Sequence, residues 1–189
     1  MLACATTAEL RAARRARVRS ALVGLRAANG VPEGPLVSFG LAGALHDGLP
    51  IGTVLDATRV VAEDGSLLWE GQALGVPDAR PATILAAEVI ADSAEERQRL
   101  HERTGADAAD LESGPLARTG RLHGVLRVVS DTPERPLNGI EAGAKPEGGY
   151  DWRGLLGAFV RRPRGFARAA ADARRALGRL AAAAEVWSR

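Results

Sequence analysis

The sequence predicts an α/β fold: a three-layer arrangement with helices on both faces of a central mixed sheet. Three observations carry that prediction. Short apolar runs alternate with helical stretches along most of the chain. Turn chemistry punctuates the runs at Asn29-Gly30, at Pro32-Glu33-Gly34-Pro35 and at Glu63-Asp64-Gly65-Ser66. The C-terminal segment carries apolar residues at helical spacing with arginines on its other side.

Taken in order, Leu2–Thr6 is a short strand and Ala8–Arg19 a helix with exposed arginines. Ala21–Leu25 and Leu36–Leu41 are buried strands. Thr53–Val61 and Leu67–Leu74 form a hairpin across Glu63-Asp64-Gly65-Ser66. Ile84–Ala91 is another apolar run. Ser93 and Glu96 have capping-box spacing, so a polar helix runs from Ala94 to about Arg103 and stops at Gly105. Ala106–Leu111 reads as a strand and Glu112–Arg121 as a helix. Val125–Val129, bounded by Gly124 and by Asp131-Thr132-Pro133, is the clearest strand. Residues 133–150 are rich in Pro and Gly and aperiodic, which reads as a long loop of the kind that serves as a lid. Phe166, Ala170, Ala173, Leu177, Leu180, Ala184 and Trp187 form one stripe, giving an amphipathic helix over 164–187.

The chain of 189 residues is 46% hydrophobic and 25% charged, which suits a single domain over 1–189 with a real core. Apolar runs are too short for a membrane span. One cysteine, Cys4, excludes an internal disulfide framework, and with three His it argues against a Cys/His metal site. A net charge of +2 and few aromatic residues argue against a nucleic-acid partner. The region from Arg161 onward holds eight Arg against Asp172 and Glu185. With one lysine and about a fifth alanine, that surplus reads as a compositional bias. The Arg-rich start, Met1–Ser20, is interrupted by Glu9, so the expectation is a cytoplasmic protein without a leader.

Standard phosphate-loop, dinucleotide, nucleophile-elbow and HExxH signatures are absent. Three segments stand out instead. In Ser38–Leu45, small residues at a strand end either make a tight turn or let a ligand approach the backbone. Asp110 and Glu112 follow an apolar strand at a helix start. They either complement the helix dipole or accept hydrogen bonds from a vicinal diol such as a ribose. Asp131 ends an apolar strand, where open α/β sheets bind ligands. It either caps the next turn or donates a proton to a leaving group.

In this order and spacing, the three segments resemble the purine nucleoside phosphorylase and methylthioadenosine/adenosylhomocysteine nucleosidase superfamily. Gly40-Leu41-Ala42-Gly43-Ala44-Leu45 is similar to its glycine turn. Asp110-Leu111-Glu112-Ser113 is similar to its ribose motif, with Leu111 for the usual Met. Arg127-Val128-Val129-Ser130-Asp131 is similar to its R-x-x-S-D base motif. The likeness covers about residues 36–132 well. The tail from Asp131 to the Arg/Ala helix is most similar to the hopanoid-associated phosphorylase branch, which acts on adenosine bearing a large apolar 5′ group.

The resemblance implies cleavage of a purine ribonucleoside at its N-glycosidic bond, by water or phosphate. It needs no metal and no cofactor, with phosphate the one candidate co-substrate. A homodimer or higher homo-oligomer is the implied assembly. Glu112 would hold the ribose hydroxyls as an anion, with Leu111 beside it. Asp131, kept protonated by burial, would face purine N7, oriented by Ser130 and Arg127 with Asp110 in support. Gly40 and Gly43 would line the sugar side, Ile90 and Ala91 the base plane, and Glu9 would act on an attacking water. Ser38 and Leu41 stand where hexameric phosphorylases place phosphate ligands, which favours water, with Arg26 as a substitute anion ligand. The stretch from Glu9 to Ser38 is also too short for the family's usual extra strand pair and helix. The alternative is a non-catalytic nucleoside-binding protein that kept the fold.

Overall fold

A computed structural model describes residues 1–91, 93–139 and 143–188. Eight strands form one mixed sheet: β1 (Leu2–Cys4), β2 (Ser20–Leu22), β3 (Leu36–Ala44), β4 (Val54–Val61), β5 (Leu67–Glu70), β6 (Arg80–Ala86), β7 (Ala108–Asp110) and β8 (Leu122–Asp131). Five helices cover it: α1 (Thr7–Arg15), α2 (Ala94–Thr104), α3 (Ser113–Ala117), α4 (Trp152–Arg161) and α5 (Pro163–Trp187).

The long strand β3 organises the sheet. On one edge its first half pairs with β1 in parallel, and its last two residues pair with β7 antiparallel. Its other edge pairs with β8 in parallel from Leu36 to Gly43. Because β8 also pairs with β4, and β4 with β6 and β6 with β7, the pairing closes into a ring. An apolar pattern cannot foretell that closure, since a strand reads the same whichever neighbours it takes. The ring brings the carboxyl ends of β7 and β8 beside the end of β3.

Helices α1 and α5 pack on each other and on one face of the sheet. Cys4, Ala12, Phe39, Leu126 and Leu180 share that core. A fully buried aliphatic such as Leu180 contributes about 2 kcal/mol. On other parts of the sheet, Leu116 of α3 packs with Ile84 and Val125, and Leu100 of α2 with Leu45 and Leu85.

Several elements depart from the sequence reading. α1 ends at Arg15, because Arg17 takes a left-handed φ of 56° and turns the chain back into β2. β5 ends at Glu70, since the amides of Leu74, Gly75 and Val76 donate to the buried Asp56 carboxylate instead of a ladder. The run 84–91 is displaced: β6 spans Arg80–Ala86, and the remaining residues leave the sheet. α3 is half its expected length, broken where Gly120 adopts φ +67° ahead of β8. Helix α4 was not foreseen at all. The reading of 133–150 as a loop falls partly on Ile140, Glu141 and Ala142, outside the described residues. Among the described residues around them, isolated bridges pair Thr132 with Arg135 and Ala144 with Tyr150. The α2 boundary held: Ser93 accepts from the Glu96 amide, and Gly105 closes the helix in the left-handed conformation.

Candidate active site

The ends of β3, β7 and β8 and the start of α1 enclose a cavity of about 270 Å³. Glu9, Glu112 and Asp131 all line it. Each reaches it by a different local device.

Glu9 is the third residue of α1. Thr6 caps the helix and accepts from the Glu9 amide, while Glu9 Oε2 accepts from the Thr6 amide at 2.8 Å. This capping box fixes the carboxylate on the cavity side, where Oε1 also accepts from the Leu41 amide at 2.9 Å. A Cβ on Gly40 would run into the Glu9 carboxylate and the Arg127 guanidinium. Gly40 therefore does not line the cavity; it makes room for two side chains that meet behind it.

Asp110 ends β7 and turns the chain into α3 by accepting from the amides of Glu112 and Ser113. Its Oδ2 takes Nε of Arg127 at 2.5 Å and the Ser113 hydroxyl. Arg127 is entirely buried and donates also to Ser38 Oγ at 2.6 Å. It lies beneath the cavity without lining it. Glu112 Oε2 stands 3.9 Å from Arg127 Nη2, and its Oε1 accepts from the Arg26 amide at 3.3 Å. Burial, reinforced by the Asp110 charge, pushes the Glu112 carboxyl up to about 8 despite Arg127. That upward shift favours the neutral carboxyl and works against the expectation of an anionic Glu112. Burial disfavours the charged form of Arg127, but Asp110, Glu112 and Glu9 outweigh that and raise its pKa.

Asp131 is the last residue of β8. Its Oδ1 accepts from Ser130 Oγ at 2.7 Å and its Oδ2 from Arg97 Nη2 at 2.5 Å. Both partners of the ion pair are about 95% buried, with side chains 5% and 4% exposed. Arg97 spends its other donors on the carbonyls of Ala44 and Ala91. Gly43 makes the pair fit, because a Cβ there would come within 2.8 Å of Asp131 Oδ2. Arg127 does not touch Asp131; the orienting cation is Arg97.

Arg97 is the functional-site residue that sequence reasoning missed. It sits three residues before Leu100, the aliphatic side chain that α2 buries, so its helical register was the available signal. Ile90, Ala91 and Leu111 line the cavity as expected. Arg26 does not: its backbone is left-handed at φ 52°, and its guanidinium donates to the Glu88 carbonyl. Leu137, Tyr150, Ala173 and Leu177, from segments distant in sequence, also line the cavity.

No protein-family model and no curated protein matches this chain. Solved structures do. The futalosine hydrolase of Helicobacter pylori is 15% identical over 70% of this chain and 85% of its own, with a TM-score of 0.59. The 5′-methylthioadenosine/S-adenosylhomocysteine nucleosidase of Campylobacter jejuni is 16% identical, covering 94% of this chain and 96% of its own at a TM-score of 0.57. The Helicobacter pylori nucleosidase of the same name, complexed with a substituted pyrrolidin-3-ol, is 16% identical over 69% of this chain and 83% of its own, again at a TM-score of 0.57. The chain has the fold of these nucleosidases.

Proposed function

We propose that this protein hydrolyses the N-glycosidic bond of a purine ribonucleoside and releases the free base. The observation that carries the reading is the convergence of Glu9, Glu112 and Asp131, from three separate segments, on one cavity. The shared fold with nucleosidases supports it.

In this reading, Glu112 meets the ribose 2′- and 3′-hydroxyls; in its neutral form it both donates and accepts. Asp131, held by Arg97 and Ser130, relays a proton from solvent to purine N7 as the C1′–N9 bond breaks, which stabilises the departing base. Help of this kind is worth roughly 10²–10⁴-fold. Water adds to C1′ and yields its proton to Glu9, held by the amides of Thr6 and Leu41. Among the described lining residues the one arginine, Arg97, is already committed to Asp131, which favours water over phosphate as the nucleophile. The apolar lining that includes Leu137, Ala173 and Leu177 supports a substrate with an apolar 5′ group, as in the hopanoid-associated branch.

The test is an adenine-release assay on adenosine, 5′-deoxy-5′-methylthioadenosine and an adenosine extended at 5′ by an alkyl group, each with and without phosphate. Adenine without phosphate is the expected result, largest for an apolar 5′ group. Release only with phosphate would replace water by phosphorolysis. Nucleoside binding without release would make the protein a binding module. Asp131→Asn is expected to lose about 10²-fold or more in turnover while melting as a folded protein.

A further inference from the structure

Helix α4 carries more apolar surface than the fold uses. Its inner side is already packed: Leu155 lies over Gly143, and Ala158 over Gly139. On the outer side, Trp152 is 78% exposed, Leu156 63%, Phe159 46% and Val160 70%. These four recur at i, i+4, i+7 and i+8, one stripe along the helix. Phe159 stacks edge to face on Phe166 of α5, which holds the ridge in place.

The charge carried by residues 152–171 is of one sign. From Trp152 to Ala171 the chain has five arginines and no acidic residue. Arg153 borders the stripe, and Arg161, Arg162 and Arg164 cluster where α4 meets α5, all exposed. Asp172, the next acid, is buried and held by Arg135. A second copy docking symmetrically on this face would set arginine against arginine, with Asp151 at the start of α4 the nearest acid in the sequence to answer. An apolar ridge of Trp, Leu, Phe and Val rimmed by arginines instead suits the interface of an anionic bilayer.

We propose that α4 docks the protein on the surface of a membrane rich in anionic lipid. The ridge enters the headgroup–acyl boundary, and the arginines meet lipid phosphates with their stems along the apolar edge. No helix among the described residues is long and apolar enough to cross a membrane, so docking is peripheral. Tyr150, two residues before Trp152, lines the cavity, so the docked helix runs directly into the cavity wall. The proposal stands whether or not the glycosidic reading does.

Co-sedimentation of the full chain with vesicles tests it, using phosphatidylcholine alone or with phosphatidylglycerol. The expected result is partition onto the anionic vesicles, a blue shift of tryptophan emission that Trp152→Phe abolishes, and release by high salt. Replacing Leu156 and Val160 together by Glu should weaken binding about tenfold or more and leave the melting temperature unchanged, since both side chains point to solvent. Replacing Arg161, Arg162 and Arg164 by Gln should remove the preference for anionic over neutral vesicles. Failure to bind anionic vesicles, or equal binding by the Glu variant, overturns the proposal. So does a lipid-free dimer that the Glu variant dissociates, which would assign the ridge to a second copy.

Discussion

Two buried arginines hold the acids of one cavity in different ratios. Arg97 faces a single carboxylate, Asp131, and gives its remaining donors to the carbonyls of Ala44 and Ala91. Arg127 lies among three acids: it bonds Asp110 and stands near Glu112 and Glu9. Burial and the charge of Asp110 push the Glu112 pKa up, and Arg127 only partly offsets them. The number of acids sharing a buried cation thus tunes a proton affinity that residue identity alone does not.

The largest effect is expected from Arg127→Met, which strands Asp110 without its ion-pair partner. Removing one partner of a buried pair costs about 3–5 kcal/mol, and a further loss follows from the hydroxyls of Ser38 and Ser113. Urea denaturation reads it, and a variant as stable as the parent would sink the comparison. Arg97→Met should cost less, about 3 kcal/mol, because Ser130 still bonds Asp131. Gly40→Ala comes next at about 2 kcal/mol, from a methyl forced between Glu9 and Arg127.

Glu112→Gln sharpens the comparison through pH, and at acid pH it has the smallest effect. The folded pKa of Glu112, about 8, lies above the ordinary value of 4.5. The unfolded chain therefore releases this proton first. Stability attributable to Glu112 falls as pH rises from 4.5 to about 8 and then levels off. Melting curves across that window should lose this slope in the Gln variant. An unchanged slope would mean that Glu112 is ionised throughout.

Much of the site was legible because strand ends and helix starts are local. Asp110, Glu112 and Asp131 each follow a short apolar run, and all three lie at the cavity. Arg97 was hidden because a charged residue on a polar helix gives no local sign of burial; only the approach of α2 to the end of β8 reveals it. The C-terminal stripe was found nearly in register. The buried set, Ala169, Asp172, Ala176, Leu180, Ala181, Ala183 and Ala184, shares Leu180 and Ala184 with the expected one, while Ala173 and Leu177 line the cavity. Helix α4 escaped notice because its two glycines and outward apolar face do not produce a core-facing pattern.

By itself, then, the chain of residues determined the alternation of strands and helices, the caps at Ser93 and Gly105, and the acids poised at strand ends. Those features depend on neighbours within a few positions. The ring closed by β8, the pairing of Arg97 with Asp131, and the raised pKa of Glu112 were decided only by tertiary structure. Each depends on the distance between groups far apart in sequence and on how much water the fold leaves between them.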